Sequence, residues 1–459
     1  MAKKIVLITG NIFPISIDSF LKKVGVIMFS KKLNLKQFGN FSNYNISSDG
    51  GVLLLDKVES KCNIISDASK LVKDIRNPLF ITHSMISMMK QLIYGIAMGY
   101  SDLNDHEFVR LDHLYKSVLD KKEDLASDST LCRMEKHIDN KTIIDLNKLL
   151  VEQFISNYKS PPKEIILDID WTDVELYGNQ EERYYHGYYK EYCYIPLHVT
   201  CGDELLVSYL RPANKDGFRH SWAIIGLLIK RLRQSFPDVR IIIRADSGFM
   251  RHKFLGWLEL KGVEYIIGMA KNSRLVSYLS EEIDKVNDLY QQSNNHETIS
   301  YYKYLSYSAS SWRKERRILS KIERNYHGRN TRFVVSNISG DISASSLYKD
   351  MYCMRGDMEN KIKYVQLDMF GDRMSSSRYL SNSFRLMLSS LAYTLIQKLK
   401  RYYLTNTNLA KATANTIRLR LLKIAVLIKV RKTSIRFEFT ANYAYRDLFM
   451  KIMPKLFAT

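Results

Sequence analysis

The chain has 459 residues with 46% apolar content, enough for a large buried core, and carries 69 Lys and Arg against 48 Asp and Glu, a net charge of +21 with a pI near 9.5. Its apolar runs all fall short of the ~20 residues that span a bilayer, and its five scattered cysteines form no C-x-x-C pair, which excludes a membrane span, a zinc ribbon and a disulfide framework and fits a reducing cytoplasm. The basic excess favours a polyanionic partner, since neutralised phosphates release condensed counterions. It is unevenly placed: from Lys398 onward 14 basic residues face two acidic ones, Glu438 and Asp447, so this tail supplies +12 of the +21 and reads as a binding surface.

In chain order, residues 1–40 are expected to be an N-terminal extension. MAKKIVLITG has the basic flank and apolar stretch of a signal peptide, but Asn11 and Pro14 interrupt it and no cleavage site follows; Met28 is a candidate functional start. From Asn77-Pro78 to about residue 156 the pattern is helical. Pro78 suits a first helical turn, Ile81, Met85, Met88, Met89, Leu92 and Ile93 recur at helical spacing, and Ser127 or Asp128 can cap a helix carrying Leu131, Met134 and Ile138. Residues 41–160 are therefore expected to be a helical region, equally well a helix-turn-helix reader that binds DNA ends or a plain helical bundle.

Pro161-Pro162 marks a change to strands. EIILDID (164–170) is short and Ile-rich, Tyr192–Cys201 and Glu204–Leu210 flank a Gly202-Asp203 turn as a hairpin, and VRIIIR (239–244) suits a strand covered on both faces. Helical patterns over 218–234 and 251–261 and a strand over 263–267 complete a mixed α/β sheet for residues 161–274. Residues 275–345 form a β-rich insertion, with eight basic residues between Arg313 and Arg332 and a turn at His327-Gly328. Residues 346–404 return to helix, first around Tyr352–Lys363 and then over 380–401, and 405–459 form the basic C-terminal region.

Three acids lie on apolar elements, where a carboxylate is costly unless paired. Asp168 and Asp170 project from one face of their strand, Asp170 at its end. Asp246 follows VRIIIRA just beyond a strand's C-terminal end, where α/β sheets place ligands; as a lone residue it would read equally well as a turn former or helix N-cap. Tyr352, Arg355 and Glu359 stand at i, i+3 and i+7 on one helical face, an unusual set for a core, although a solvated face with an ion pair would use the same spacing. Three carboxylates from separate elements suit two-metal phosphoryl transfer with Mg²⁺ or Mn²⁺, in which no side-chain base of shifted pKa is required. The ten histidines supply no helical H-x-x-x-H pair; His186 and His198 flank the hairpin and are read as structural or DNA-contacting.

These residues resemble the DDE transposases of bacterial insertion sequences, and the run SSDGGVLLL, GYYKEYCYIPLHV, LRPANKD, RADSGF, YCMRGDMENKIK and RLRLLKI resembles insertion-sequence family thirteen-eighty, from about residue 40 to the C-terminus. The resemblance implies a ribonuclease-H-like α/β core, a mixed sheet with an inserted all-β subdomain and a helical N-terminal region. The first acid of D-x-T is Asp170, the second, in RADSGF, is Asp246, and Tyr352, Arg355 and Glu359 fit Y-x2-R-x3-E. Asp168 remains the alternative first acid. The Lys that often follows seven positions after the Glu is Gln366 here, with Lys361 and Lys363 nearby. In such relatives an insertion aromatic can stack on a displaced base; Trp312 beside Arg313 is the candidate, and a core Trp is the competing reading. The resemblance further implies two divalent metal ions, double-stranded DNA partners (terminal inverted repeats and target), no membrane, a homodimer on DNA, and a bacterial cytoplasmic, nucleoid-associated location. A catalytically inactive DNA-binding regulator and a structure-selective nuclease on the same fold are the alternatives.

Overall fold

The computed structural model describes residues 26–457 apart from 33–34, 42 and 294–296; the expectations for residues 1–25 lie outside the described residues. The architecture is mixed α/β around an eight-stranded sheet. Its strands are β1 (Glu164–Trp171), β2 (Leu197–Cys201), β3 (Glu204–Tyr209), β4 (Arg240–Ala245), β5 (Glu264–Met269), β6 (Ile299–Tyr307), β7 (Arg316–Asn325) and β8 (Gly328–Ser336), in the spatial order β6-β7-β8-β5-β4-β1-β2-β3. β1, β4 and β5 are mutually parallel and β2 is antiparallel to both β1 and β3. This is the expected ribonuclease-H-like mixed sheet, with Asp170 on β1 and Asp246 just after β4. The first arm of the expected hairpin breaks at Ile195-Pro196, since proline cannot donate to the ladder; Glu191–Tyr194 joins a separate three-stranded sheet.

The period of two along each strand sorts the sheet's faces. Ile165, Leu167 and Ile169 of β1, Ile241, Ile243 and Ala245 of β4, and Tyr265 and Ile267 of β5 belong to a core that also contains Ile225, Leu228 and Leu232 of the helix Ser221–Ser235 and Phe254, Leu255 and Leu258 of the helix His252–Leu260. The opposite face carries Ile166, Asp168 and Asp170, then Ile242 and Arg244, then Ile266 and Gly268. It is covered by a helical run from Ala344 to Asp368, through Leu347 and Tyr348.

The inserted segment continues the core sheet: β8 pairs with β5 and β7 with β8. It is not purely β, as an all-β subdomain would be. The helix Ser280–Gln292 lies within it, because Ile283, Val286 and Tyr290 recur at i, i+3 and i+7 and form a buried stripe. The N-terminal helices pack as a bundle around Tyr379–Leu399, which is buried on nearly all sides. Pro78 lies in a separate single turn, Pro78–Phe80, and the following helix, Met85–Met98, starts where the Ser84 side chain accepts from the Ser87 N–H. Residues 414–428 belong to the same apolar core as residues 52–150. All five cysteines are unpaired, and among the described residues no helix is long and apolar enough to cross a membrane.

Candidate active site

β1 and β4 are parallel and in register, with Asp168 opposite Arg244 and Ile169 opposite Ala245. One step further, Asp246 stands beside Asp170 on the same face. Each aspartate is oriented by its own chain: Asp170 Oδ1 accepts from the Trp171 N–H at 2.9 Å, and Asp246 Oδ1 accepts from the Gly248 N–H at 2.9 Å. Asp246 is therefore also the cap of the turn Ser247–Phe249. Trp171 packs behind this corner against Phe249, with ring centroids 4.4 Å apart, and a Cβ at Gly248 or Gly217 would stand 2.4 Å or 2.8 Å from its ring.

The register also separates the two candidate first acids. Arg244 donates from Nε and Nη2 to both oxygens of Asp168, the second at 2.7 Å, and from Nη1 to the Met351 carbonyl at 2.6 Å. Asp168 is thus held in a buried ion pair that ties β1 to β4 and to the covering helical run. Burial still pushes its carboxyl up, against the pull of Arg244. Asp170 has no such dedicated partner on the sheet. Burial, followed by the charges of Asp246 and Glu359, raises its carboxyl to about 7 despite Arg355.

The covering run is helical throughout but not regular. Wide π turns at Leu347–Tyr352 and Tyr364–Asp368 bracket a tight turn at Cys353–Arg355 and the α-helix Gly356–Lys363. Arg355 points at the acids: its Nη1 donates to Asp170 Oδ2 at 2.8 Å and its Nη2 to Glu359 Oε1 at 3.3 Å. Burial alone would lower Arg355, but Asp170, with Tyr352, Asp246 and Glu359, holds it above its ordinary value. Tyr352 reaches β5 beside Asp246. Its hydroxyl passes over Gly268, where a Cβ would stand 2.6 Å from the Tyr352 oxygen and 2.9 Å from the Ser247 nitrogen. Glycine is required there for this close approach. Sequence reasoning missed Gly268 and Arg244; their only signal was their place on the acid-bearing face of the two neighbouring strands. Lys363 is exposed, Lys361 pairs with Asp203 at 3.1 Å, and Gln366 donates to the Asp173 carbonyl at 3.1 Å.

Trp312 and Arg313 are not brought to this site. β7 runs parallel to β5, and its first residue, Arg316, lies level with Tyr265 near the start of β5. The β6–β7 connection therefore sits at the sheet end opposite the acids. There Trp312 is half-buried, packed edge-on against Tyr307 at 5.5 Å and under Arg316 at 5.2 Å, as a core Trp would be. The β7–β8 connection lies at the other end. The last β5–β8 pair is Met269–Phe333, so Gly328–Arg332 projects about 16 Å past the acid end of β5. This tip presents exposed Tyr326, His327, Arg329 and Arg332. Arg332 lies beside Tyr348 and Tyr352. His198 is fully buried beside Ser208 and held down to about 3 by burial, so its role is structural.

Among the described residues no three His, Cys, Asp or Glu side chains converge tightly enough to form a ready-made metal site. The donor set is nevertheless chemically suited to one. Asp170, Asp246 and Glu359 offer hard carboxylate oxygens, negative charge is in excess around Asp170, and the Arg355 guanidinium stands between Asp170 and Glu359 as the compensating cation.

Residues 28–459 match the family described as Transposase DDE domain group 1. Among solved structures, the chain is similar to the piggyBac transposase in a synaptic complex with hairpin DNA, at 12% identity and a TM-score of 0.45, covering 83% of this chain and 82% of that chain. No curated protein matches it. A match over nearly the whole length, on a ribonuclease-H-like sheet with two aspartates side by side at one end, places this chain in the DDE transposase family.

Proposed function

We propose that the chain is the transposase of a bacterial insertion sequence akin to family thirteen-eighty, acting as a dimer in the nucleoid on the terminal inverted repeats of its own element and on target DNA. Asp170, Asp246 and Glu359 would hold two Mg²⁺ or Mn²⁺ ions. The observation that carries this reading is the side-by-side placement of Asp170 and Asp246 under the helix bearing Glu359, with Asp168 withdrawn into its pair with Arg244. When bound, the ions would activate the attacking oxygen and stabilise the leaving one in an in-line displacement.

The chain's own residues supply positioning. Arg355, always cationic, would exchange its hold on Asp170 and Glu359 for a DNA phosphate, which it can grip in a bidentate manner. Tyr352, fixed over Gly268, would set the distance between the helical run and Asp246. Lys363 and the β7–β8 tip, with Arg329 and Arg332, would carry the DNA backbone past the acids.

The test is strand cleavage and strand transfer on duplexes bearing the element's ends, with Mg²⁺ or Mn²⁺. Glu359→Ala and Asp246→Asn should abolish cleavage while end binding persists. Full cleavage by either variant would falsify the assignment. Wild-type protein that binds ends but never cuts would favour a regulator, and cutting of branched DNA without joining would favour a nuclease.

A further inference from the structure

The basic tail is sorted by its folding. Lys398 and Arg418 are buried: Lys398 donates to the Gln153 carbonyl at 2.8 Å and to Asn157 Oδ1 at 2.7 Å, and Arg418 donates to the Ala97 carbonyl at 2.8 Å. Lys400 and Arg401 face Asp203 and Glu204, and Lys423 pairs with Asp49. These cations hold the fold together and are not a free surface. Of the remainder, a concentrated group lies on one antiparallel ribbon, β9 (Val426–Val430) and β10 (Ile435–Phe439), closed by a turn in which the Arg431 N–H donates to the Ser434 carbonyl at 2.8 Å.

The ribbon has an anchored base and a free tip. A third strand, Asn45–Ser47, pairs with residues 426–428, so among the described residues β9 beyond Ile428 pairs with β10 alone. Every residue from Lys429 to Arg436 is exposed. One face of the ribbon is wholly apolar: Val426 opposes Phe439, Ile428 opposes Phe437 and Val430 opposes Ile435. At the base this face sits on the core, with Phe439 and Phe449 ring centroids 4.9 Å apart. At the tip the same face is uncovered, with Val430 60% and Ile435 46% exposed. On the other face Lys429 stands directly opposite Arg436, and Arg431 and Lys432 flank them on the turn. Like charges set opposite each other destabilise a sheet. Lys429 forms an ion pair with Glu438 at 2.7 Å, and Glu438 also faces Arg436 and Arg431, but among the described residues no carboxylate forms an ion pair with Arg431, Lys432 or Arg436.

We propose that this ribbon tip docks into a groove of duplex DNA, with Arg431, Lys432 and Arg436 on the phosphates and the Val430–Ile435 pair against the groove floor. The proposal rests on the DNA-transposing reading above and adds where duplex is held. Two strands about 4.8 Å apart with their side chains fit a major groove about 12 Å wide, and small apolar side chains there contact thymine methyl groups. The segment leading into the ribbon is tied to the catalytic face: the Asn415 N–H donates to Asp368 Oδ2 at 3.0 Å, at the end of the helical run that carries Glu359. Duplex gripped by the ribbon is therefore held on the same unit as the acids.

The test is fluorescence anisotropy of the full-length protein with a mixed-sequence duplex of about 30 base pairs over a salt series, comparing wild type with the triple variant R431A/K432A/R436A and with V430S/I435S. The triple variant should weaken binding by about tenfold or more near 0.1 M salt and make the salt slope shallower by about 0.9 per lost phosphate contact. V430S/I435S should weaken duplex binding with the slope unchanged. All five positions are exposed, so melting temperatures should match wild type. Wild-type affinity and slope in the triple variant would overturn the ribbon proposal alone, leaving the transposase reading intact. Wild-type protein that binds no duplex at any salt would overturn both. Equal losses on the single strand of the same sequence would overturn the groove geometry.

Discussion

Replacing Asp168 and Asp170 by asparagine, one at a time, separates structure from chemistry two residues apart on one strand face. Asp168→Asn leaves Arg244 buried with half of its bidentate acceptor and without its counter-charge. Stripping one partner from a buried pair costs about 3–5 kcal/mol, and the retained amide oxygen should hold the loss near the lower end. Asp170→Asn should act in the opposite direction. The folded-state carboxyl is raised from 3.8 to about 7, so the folded protein disfavours the ionised form. The resulting penalty is absent below about pH 4, grows as pH rises toward 7, and is fully present above it, where it amounts to about 4 kcal/mol. Removing that charge should therefore leave metal-free stability at pH 8 unchanged or raised. Denaturant midpoints without divalent metal at pH 8, paired with strand cleavage in Mg²⁺ below the melting range, give both readouts. D168N should be the unstable variant that still cuts, and D170N the stable variant that does not. A D170N protein that cuts, or a D168N protein as stable as wild type, would refute the assignment of the two acids.

Gly268→Ala should drive a methyl group into the Tyr352 hydroxyl and the Ser247 nitrogen, displacing the helical run or Asp246 by several tenths of an ångström; cleavage should fall by about 30- to 100-fold with folding retained, and in single-turnover assays the alanine should cost less in a Tyr352→Phe background than in wild type, because the hydroxyl contact is gone while the Ser247 contact remains. Neutralising the hairpin tip with R329A/R332A should weaken DNA binding and flatten its salt dependence, whereas W312A at the opposite sheet end should lower stability and leave the salt slope untouched. The buried His106 and His198, held down to about 4 and about 3 by burial, must be neutral in the folded protein; their contribution is fully present above about pH 6.5 and is lost as pH falls toward those values, so thermal melts should show the midpoint dropping between pH 6.5 and 4.5 and the drop should shrink in His198→Gln.

Local periodicity carried a large part of the fold. Strands β1, β4 and β5 and the helix 379–399 were legible because apolar residues recur at two or at 3.6 positions, a property of the chain itself. The motifs carried Asp246 and the Tyr352-Arg355-Glu359 face, since a turn after a strand and a helical face are both local. Charge was legible only as a sum. That Lys398 and Arg418 are buried on carbonyls while Arg431, Lys432 and Arg436 stand exposed depends on which segments pack against which, and residues 52–150 share a core with 414–428, far away along the chain. The same dependence decides where Trp312 lies: strand direction in the assembled sheet carries it to the end away from the acids. Alternation along the strand could not separate Asp168 from Asp170, because both point to one face, and only the D-x-T resemblance favoured Asp170. Pairing of β1 with β4 set Arg244 opposite Asp168 and left Asp170 beside Asp246. The sequence by itself thus determined which residue types could do the chemistry and on which elements they lie, whereas only the tertiary structure decided which carboxylate is neutralised, because an ion pair forms between neighbours in space and the register of two strands 76 residues apart made those neighbours.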